Sequence, residues 1–198
     1  GHGGLIAKLH HIISDAWTMT LLTDQIINNY SNLLNNKIID TNSYSYIDFI
    51  NSESSYTTST KYNKSMNFWN SEFETPSFSY ITESETNSCL AKRLSYSLEK
   101  ELCNKILDFC KMYKTSPYSI FMSVLSIYLA RINATDTSVI GTPILNRNNF
   151  REKNTMGMFI STVPFKMNID NSTSYLSFLK NFSNKEFSIF RNQKYPYN

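Results

Sequence analysis

Residues 5–18 of this 198-residue chain read LIAKLHHIISDAWT and combine a strand pattern, a polar turn and the start of a helix. The apolar run over 5–9 predicts a short strand that ends at His10 and His11. Beyond the turn, apolar residues recur at helical spacing, which predicts a helix over about 16–34. A strand followed at once by a helix indicates a fold of mixed α and β elements.

The next part of the chain continues without a detectable repeat. Residues 40–60 are rich in Ser, Thr and Tyr and show no clear period, and a short amphipathic piece follows at about 66–73. We expect a linker over about 74–91. Residues 1–73 and 92–198 would then be separate parts of the fold.

Residues beyond the linker supply both strand and helix patterns. An alternating stretch at 93–98 predicts a half-buried strand, and the pair 139–140 predicts a central one. The segment 158–167 predicts a further strand, which Pro164 places at an edge or bulge. Helical stripes predict three helices, at about 102–113, 117–132 and 175–190. The second of these is apolar nearly all round, so we expect it to be buried.

Composition excludes several classes of protein. The chain is 41% hydrophobic and has a net charge of only +3. These values argue against a disordered tail and against the strongly basic surface of a nucleic-acid-binding protein. Three cysteines without a C-x-x-C pair indicate neither a disulfide scaffold nor a zinc ribbon, and a reducing cytoplasm fits them best. No apolar run approaches the ~20 residues of a membrane span, so we expect no membrane partner.

Glycine is rare and therefore informative. Only five glycines occur, and three of them precede residue 5. Gly141 and Gly157 are expected to mark positions where a Cβ is not tolerated, either through a positive φ or through close approach of another segment.

The histidine pair is the strongest chemical signal. A neutral imidazole can accept a proton from a nucleophile near pH 7, and the nearby carboxylate of Asp15 can fix its tautomer or hold the loop. The alternative is a buried histidine pair without chemistry. A metal site would need a third ligand from His2, a cysteine or a carboxylate, and none has metal spacing.

Several motifs occur in the order typical of one known family. His10, His11, Asp15 and Thr18 match the pattern His-His-x-x-x-Asp-Gly followed by a small hydroxyl residue, with Ala16 in place of the usual glycine. This pattern resembles the hallmark of the condensation domains of non-ribosomal peptide synthetases. Four further stretches resemble later motifs of that family: Tyr46-Ile47-Asp48-Phe49, Gly141-Thr142-Pro143 with Arg147, the run from Met156 to Thr162, and Asn192-Gln193-Lys194-Tyr195-Pro196. Three residues depart from those patterns: Ser161, Asn192 and Asn198.

The resemblance implies a mixed α/β fold of two chloramphenicol-acetyltransferase-like lobes, with the active site in a tunnel between them. A complete domain of the family is about twice as long as this chain, so we expect the chain to be a fragment. Residues 1–73 would be the C-terminal part of the first lobe, and residues 92–198 a second lobe truncated at its C-terminus.

The resemblance also implies roles for individual residues. In the catalytic loop, His11 would act as general base or position the attacking α-amine, and His10 would mainly support the loop. The backbone N–H of Ala16 would help to stabilise the developing oxyanion. Asp15 would be structural and pair with Arg147, because arginine binds carboxylates bidentately. The remaining motif residues would be candidates for the tunnel lining: Thr18, Tyr46, Asp48, Gly157, Phe159, Ser161 and Thr162. The aromatic ones among them more often belong to a core.

The function implied by the resemblance is amide bond formation in non-ribosomal peptide synthesis. Donor and acceptor groups would be carried as thioesters on the phosphopantetheine arms of upstream and downstream carrier proteins. An adenylation domain would lie elsewhere in the parent chain, and this segment would bind no cofactor itself. The alternatives are an epimerisation domain or free-standing acyltransferase of the same superfamily, and a catalytically silent truncated docking module. We expect the isolated fragment to be inactive.

Overall fold

The computed structural model of the chain describes residues 3–39, 43–75, 79–81 and 90–196. These residues form seven helices and two strands: α1 (Ala16–Leu34), α2 (Tyr46–Thr57), α3 (Thr60–Glu72), α4 (Lys100–Tyr113), α5 (Pro117–Ile132), β1 (Thr137–Ile144), α6 (Phe150–Lys153), β2 (Ser161–Asn168) and α7 (Tyr175–Arg191). The two strands pair in one sheet. The mixed α/β class is confirmed, and none of the described helices is long and apolar enough to cross a membrane.

Polar side chains set the starts of the principal helices. At the N-termini of α1, α2, α5 and α7 the capping side chain accepts a hydrogen bond from a backbone N–H two or three residues further on: Asp15, Ser45, Ser116 and Ser174. These bonds satisfy N–H groups that have no acceptor inside the helix. The helices predicted at about 16–34, 102–113, 117–132 and 175–190 are confirmed as α1, α4, α5 and α7.

The chain forms two compact units that are interleaved along the sequence. The first unit comprises residues 1–67, 143–162 and 193–198, and the second comprises 68–142 and 163–192. The first therefore contains α1, α2, α6 and most of α3. The second contains α4, α5, α7 and most of the sheet.

The predicted lobes differ from these units because they are continuous segments of sequence. Their boundaries stay a prediction. Much of the predicted linker over 74–91 lies outside the described residues, since 76–78 and 82–89 are not among them.

The core of the second unit contains the inner face of β2 and one face of α7. Phe165 on β2 and Phe182 on α7 are fully buried, and their rings stack with centroids 4.6 Å apart. Val163 and Ile189 are buried with them.

Helix α5 is buried on one face only, so the expectation of a fully buried helix is wrong. Its buried face carries Ser119, Ser123 and Ser126, and the Oγ of Ser119 donates a hydrogen bond to Glu186 Oε2 on α7 (2.8 Å). Several of the larger apolar residues lie on the exposed face: Phe121, Val124 and Tyr128. The sequence pattern failed here because three serines share the buried face with Leu129 and Ala130, while several bulky apolar side chains point to the exposed face.

Two of the predicted strands are absent from the described part of the chain. Residues 5–9 and 93–98 pair with no described residue, and a strand exists only where a neighbour completes its hydrogen bonds. Residues 139–140 lie in β1 as predicted, although a sheet of two strands has no central one. Residues 163–167 lie in β2, whereas 158–160 precede it.

Residues 40–60 contain a helix that the sequence analysis missed. Helix α2 begins after its Ser45 cap, and Tyr46, Phe49 and Tyr56 recur on it at helical spacing. The many Ser and Thr residues between these aromatic positions obscured the period. The amphipathic piece expected at 66–73 is the second half of the longer helix α3.

Candidate active site

The histidine loop, residues 10–15, is a tight turn that hydrogen bonds to His10 stabilise. The backbone N–H of Ile13 and the hydroxyl of Ser14 both donate to the His10 carbonyl, at 3.1 and 3.0 Å. The N–H of Ile12 donates to Nδ1 of the His10 ring (3.1 Å), so the neutral ring carries its proton on Nε2. The carbonyl and Nδ1 of His10 are therefore engaged in hydrogen bonds within the loop.

His11 differs from its neighbour. Its side chain is exposed, and its ring makes no hydrogen bond to the described residues of the chain. Both ring nitrogens are therefore available to a bound group. The structure thus separates the two histidines into a loop-supporting residue and an unengaged imidazole.

The loop ends at a buried ion pair. Asp15 and Arg147 lie 132 residues apart in sequence, and both side chains have 0% exposure. One terminal nitrogen of Arg147, Nη2, donates to both carboxylate oxygens of Asp15, at 3.1 and 3.2 Å. The predicted pairing of these two residues is confirmed, with one nitrogen spanning both oxygens rather than the two-nitrogen fork.

The Asp15 carboxylate accepts three backbone N–H groups as well. Oδ1 accepts from Thr18 (2.7 Å), and Oδ2 accepts from Phe159 (3.0 Å) and Ile160 (3.3 Å). Burial alone would raise the pKa of the carboxyl, but the N–H groups and the Arg147 charge outweigh it and hold the pKa below its ordinary value of 3.8. The carboxylate is therefore a fixed anion that joins α1 to residues 159–160.

Arg147 holds a second segment in place. Its Nη1 donates to the carbonyls of Glu152 and Thr155, both at 2.5 Å, and its guanidinium carbon lies 3.8 Å from the centre of the Phe159 ring. Neither acceptor is predictable from the sequence, because every residue has a carbonyl and no side-chain pattern marks these two. A signal does exist for the turn that presents them: Asn149 caps α6 by accepting from the Glu152 N–H (2.9 Å).

Gly157 is required by the ring of Tyr46. Its φ is +156°, and a Cβ built on it would overlap the Tyr46 ring, 2.5 Å from Cε2. The Tyr46 hydroxyl donates to the Met158 carbonyl (2.5 Å), while burial and the charge of Asp15 raise the pKa of Tyr46 and keep it a donor. The expectation that Gly157 tolerates no Cβ is confirmed.

Gly157→Ala is expected to lower the free energy of unfolding by about 1–3 kcal/mol, because the new methyl group overlaps Tyr46 and the backbone is strained. Urea denaturation would measure the loss. Gly4→Ala is the matched control, since nothing lies within 4 Å of a Cβ at Gly4. Equal stability of the two variants would contradict this packing. Gly157→Ala combined with Tyr46→Ala should lose less stability than the sum of the two single losses, because the methyl group then has no ring to overlap.

The other predicted site residues are more scattered. Ala16 is the first residue of α1, and its N–H is among those that the helix cannot satisfy. Asp48 is exposed on α2 and lines a separate hollow of about 390 Å³ with Ser52 and Arg151. Ser161 and Thr162 begin β2. Asp48 therefore lies outside the main cluster of predicted site residues. That cluster consists of Asp15, Thr18, Tyr46, Arg147, Gly157 and Phe159.

No group of three or more His, Cys, Asp or Glu side chains that could hold a metal ion occurs within the described ranges. His2 and Cys89, two residues considered for such a site, lie outside those ranges. What the arrangement can do is present the exposed His11 imidazole and the first N–H groups of α1 from one rigidly anchored turn.

Comparison with known sequences gives one family over the whole chain. The sequence model of the condensation domain matches residues 2–198. Surfactin synthase subunit 1 of Bacillus subtilis (strain 168) is 36% identical over 196 residues, and a plipastatin synthase protein of the same strain is 33% identical over 199 residues. These matches cover 97% and 98% of this chain but 6% and 8% of the synthetases, so the chain corresponds to a small part of each.

Comparison with solved structures identifies the same fold. The first condensation domain of the calcium-dependent antibiotic synthetase, in complex with a substrate analogue, matches with a TM-score of 0.84 at 16% identity. VibH, a non-ribosomal peptide synthetase condensation enzyme, matches with a TM-score of 0.75 at 21% identity. Each match covers 95% of this chain and 43% or 45% of the other, so the chain spans less than half of either protein.

Proposed function

This chain belongs to the condensation domain family, and we propose that it carries the catalytic histidine loop of a domain that forms amide bonds in non-ribosomal peptide synthesis. The observation that carries the proposal is the exposed, unengaged His11 on a loop that ends at the buried Asp15–Arg147 pair. A loop fixed at its base can hold a reactive imidazole in a constant position.

In the proposed reaction, the α-amine of an acceptor aminoacyl thioester attacks the carbonyl carbon of a donor thioester. A C–N bond forms, the C–S bond of the donor breaks, and the amine loses one proton. His11 lies beside the amine and accepts that proton or orients the lone pair for attack. The sulfur of the donor arm leaves as the thiol once it has received a proton.

The N-terminus of α1 supplies the complementary group. As the amine attacks, negative charge develops on the donor carbonyl oxygen. The Ala16 N–H, which has no acceptor within the helix, donates to that oxygen, and the positive end of the helix dipole adds to the effect. His10 supports the loop through its ring and its carbonyl, as its hydrogen bonds to Ile12, Ile13 and Ser14 indicate.

The proposed partners are the upstream and downstream carrier proteins, whose phosphopantetheine arms hold the two thioesters. The chain itself would bind no cofactor, and an adenylation domain would belong to the parent protein. We also propose a reducing, cytoplasmic location, which the free thiols of Cys103 and Cys110 support.

The isolated chain is expected to be inactive, whereas an intact condensation domain that includes it should join the two groups. The physical reason is that rate acceleration requires both thioesters to be held in attack geometry, and the chain spans less than half of the solved condensation proteins. The test supplies donor- and acceptor-loaded carrier proteins to each protein and detects dipeptidyl product by mass spectrometry. Comparable turnover by residues 1–198 alone would contradict the expectation of an inactive fragment.

A further inference from the structure

We infer that Thr18 is a positioning residue: its hydroxyl fixes the first turn of α1, and with it the histidine loop, against the peptide unit of Gly157. The inference rests on the proposed function, because the position of this turn affects catalysis only if His11 and the Ala16 N–H act on the reacting groups.

The Thr18 hydroxyl uses all of its hydrogen-bonding capacity. It donates to the Gly157 carbonyl at 2.7 Å, and it accepts from the Gly157 N–H at 2.9 Å and from Nη2 of Arg147 at 3.3 Å. A hydroxyl has one proton and two lone pairs, so these three bonds saturate it. Thr18 is only 3% exposed, so bulk solvent does not reach its hydroxyl.

Thr18 and Asp15 attach the same helical turn at two separate points. The Asp15 carboxylate binds the N–H groups of Phe159 and Ile160, while Thr18 binds both polar groups of Gly157. Trp17 Nε1 also donates to the Lys153 carbonyl (2.8 Å), so loss of the Thr18 bonds would loosen the turn without freeing it. Two attachments three residues apart fix its rotation as well as its position.

The groups proposed to act in the reaction depend on that turn. Ala16 lies between the two attachment points, and the loop that bears His11 enters directly before Asp15. Loss of the Thr18 bonds would therefore displace the His11 ring and the Ala16 N–H. The Asp15–Arg147 pair would remain, so the variant should still fold. A displacement of about 1 Å can reduce a rate by as much as ~100-fold.

The test compares three variants in an intact condensation domain that includes this chain. Thr18→Val keeps the shape but removes the hydroxyl, whereas Thr18→Ser keeps the hydroxyl. Thr23→Val is the matched control, because Thr23 is exposed on the same helix and bonds only to the Met19 carbonyl of that helix. The rate of amide formation on folded protein and the KM for the loaded acceptor carrier are measured for each.

We expect Thr18→Val to reduce kcat by roughly 10- to 100-fold with little change in KM, Thr18→Ser to restore most of the rate, and Thr23→Val to match the unmodified protein. The inference is overturned if Thr18→Val retains full kcat, or if Thr18→Ser is as slow as Thr18→Val.

Hydrogen exchange on the same proteins separates this inference from the proposed function. Backbone amides over residues 10–18 should exchange faster in Thr18→Val than in Thr18→Ser, whatever the domain catalyses. If no amide product forms with any protein, the proposed function fails and the exchange rates still decide the role of Thr18. Equal exchange in the two variants would overturn the inference.

Discussion

Asp15→Ala is expected to lower the free energy of unfolding by roughly 3–5 kcal/mol, because it leaves the buried Arg147 guanidinium without its anion. The N–H groups of Phe159 and Ile160 lose their acceptor at the same time. Native proteins are stable by only ~5–15 kcal/mol, so most of the variant should be insoluble or partly unfolded. Urea denaturation followed by tryptophan fluorescence would measure the change.

Asp24→Ala provides the matched control for this prediction. Asp24 lies on the same helix and is exposed, so its removal should change stability by no more than about 0.5 kcal/mol. Equal losses in Asp15→Ala and Asp24→Ala would show that the buried pair does not hold the loop. Asp15→Asn serves if the alanine variant cannot be purified, since it retains the size of the side chain.

The ionisation of Asp15 adds a pH signature to the same comparison. The pKa of Asp15 is lower in the folded chain than its ordinary value of 3.8. Its contribution to the free energy of unfolding is therefore complete above pH 3.8. The contribution is lost as the pH falls through the folded-state pKa. The difference in free energy of unfolding between the unmodified chain and Asp15→Asn should therefore be constant above pH 3.8 and shrink below it.

His11→Ala is expected to slow amide formation by about 100- to 10,000-fold in an intact domain, the range typical of a lost general base. The exposed His11 ring contacts no hydrogen-bonding partner in the described residues, so the variant should fold normally. The rate would be measured with loaded donor and acceptor carrier proteins under single-turnover conditions.

His10→Asn separates the two histidines. The asparagine oxygen can take over the role of Nδ1 as acceptor for the Ile12 N–H, so the loop should keep its shape and lose only a few-fold in rate. If His11→Ala lost only a few-fold while His10 substitutions abolished the reaction, the assignment of roles would be reversed.

Local features of this fold were predictable because neighbouring residues determine them. The helix after Asp15 follows from its cap and its apolar spacing, and the need for glycine at 157 follows from the rarity of glycine elsewhere. The strands expected at 5–9 and 93–98 depended instead on a partner, which no local pattern reveals.

The site was predictable only in part, for a similar reason. Asp15 and Arg147 lie far apart in sequence. Their pairing was predicted from the family motifs in which they occur, because no spacing rule links them. The carbonyls that receive Arg147 belong to Glu152 and Thr155, whose side chains carry no signal for that role. The three bonds of Thr18 likewise depend on the backbone of Gly157, on a segment 139 residues away.

The fate of the two thioesters after incubation with an intact domain that includes this chain distinguishes amide formation from epimerisation. If His11 serves amide formation, the acceptor carrier gains the mass of the donor group through a new amide bond, and this product disappears in His11→Ala. An acceptor without added mass, together with inversion of the donor α-carbon, would instead indicate epimerisation and would rule out amide formation by this domain.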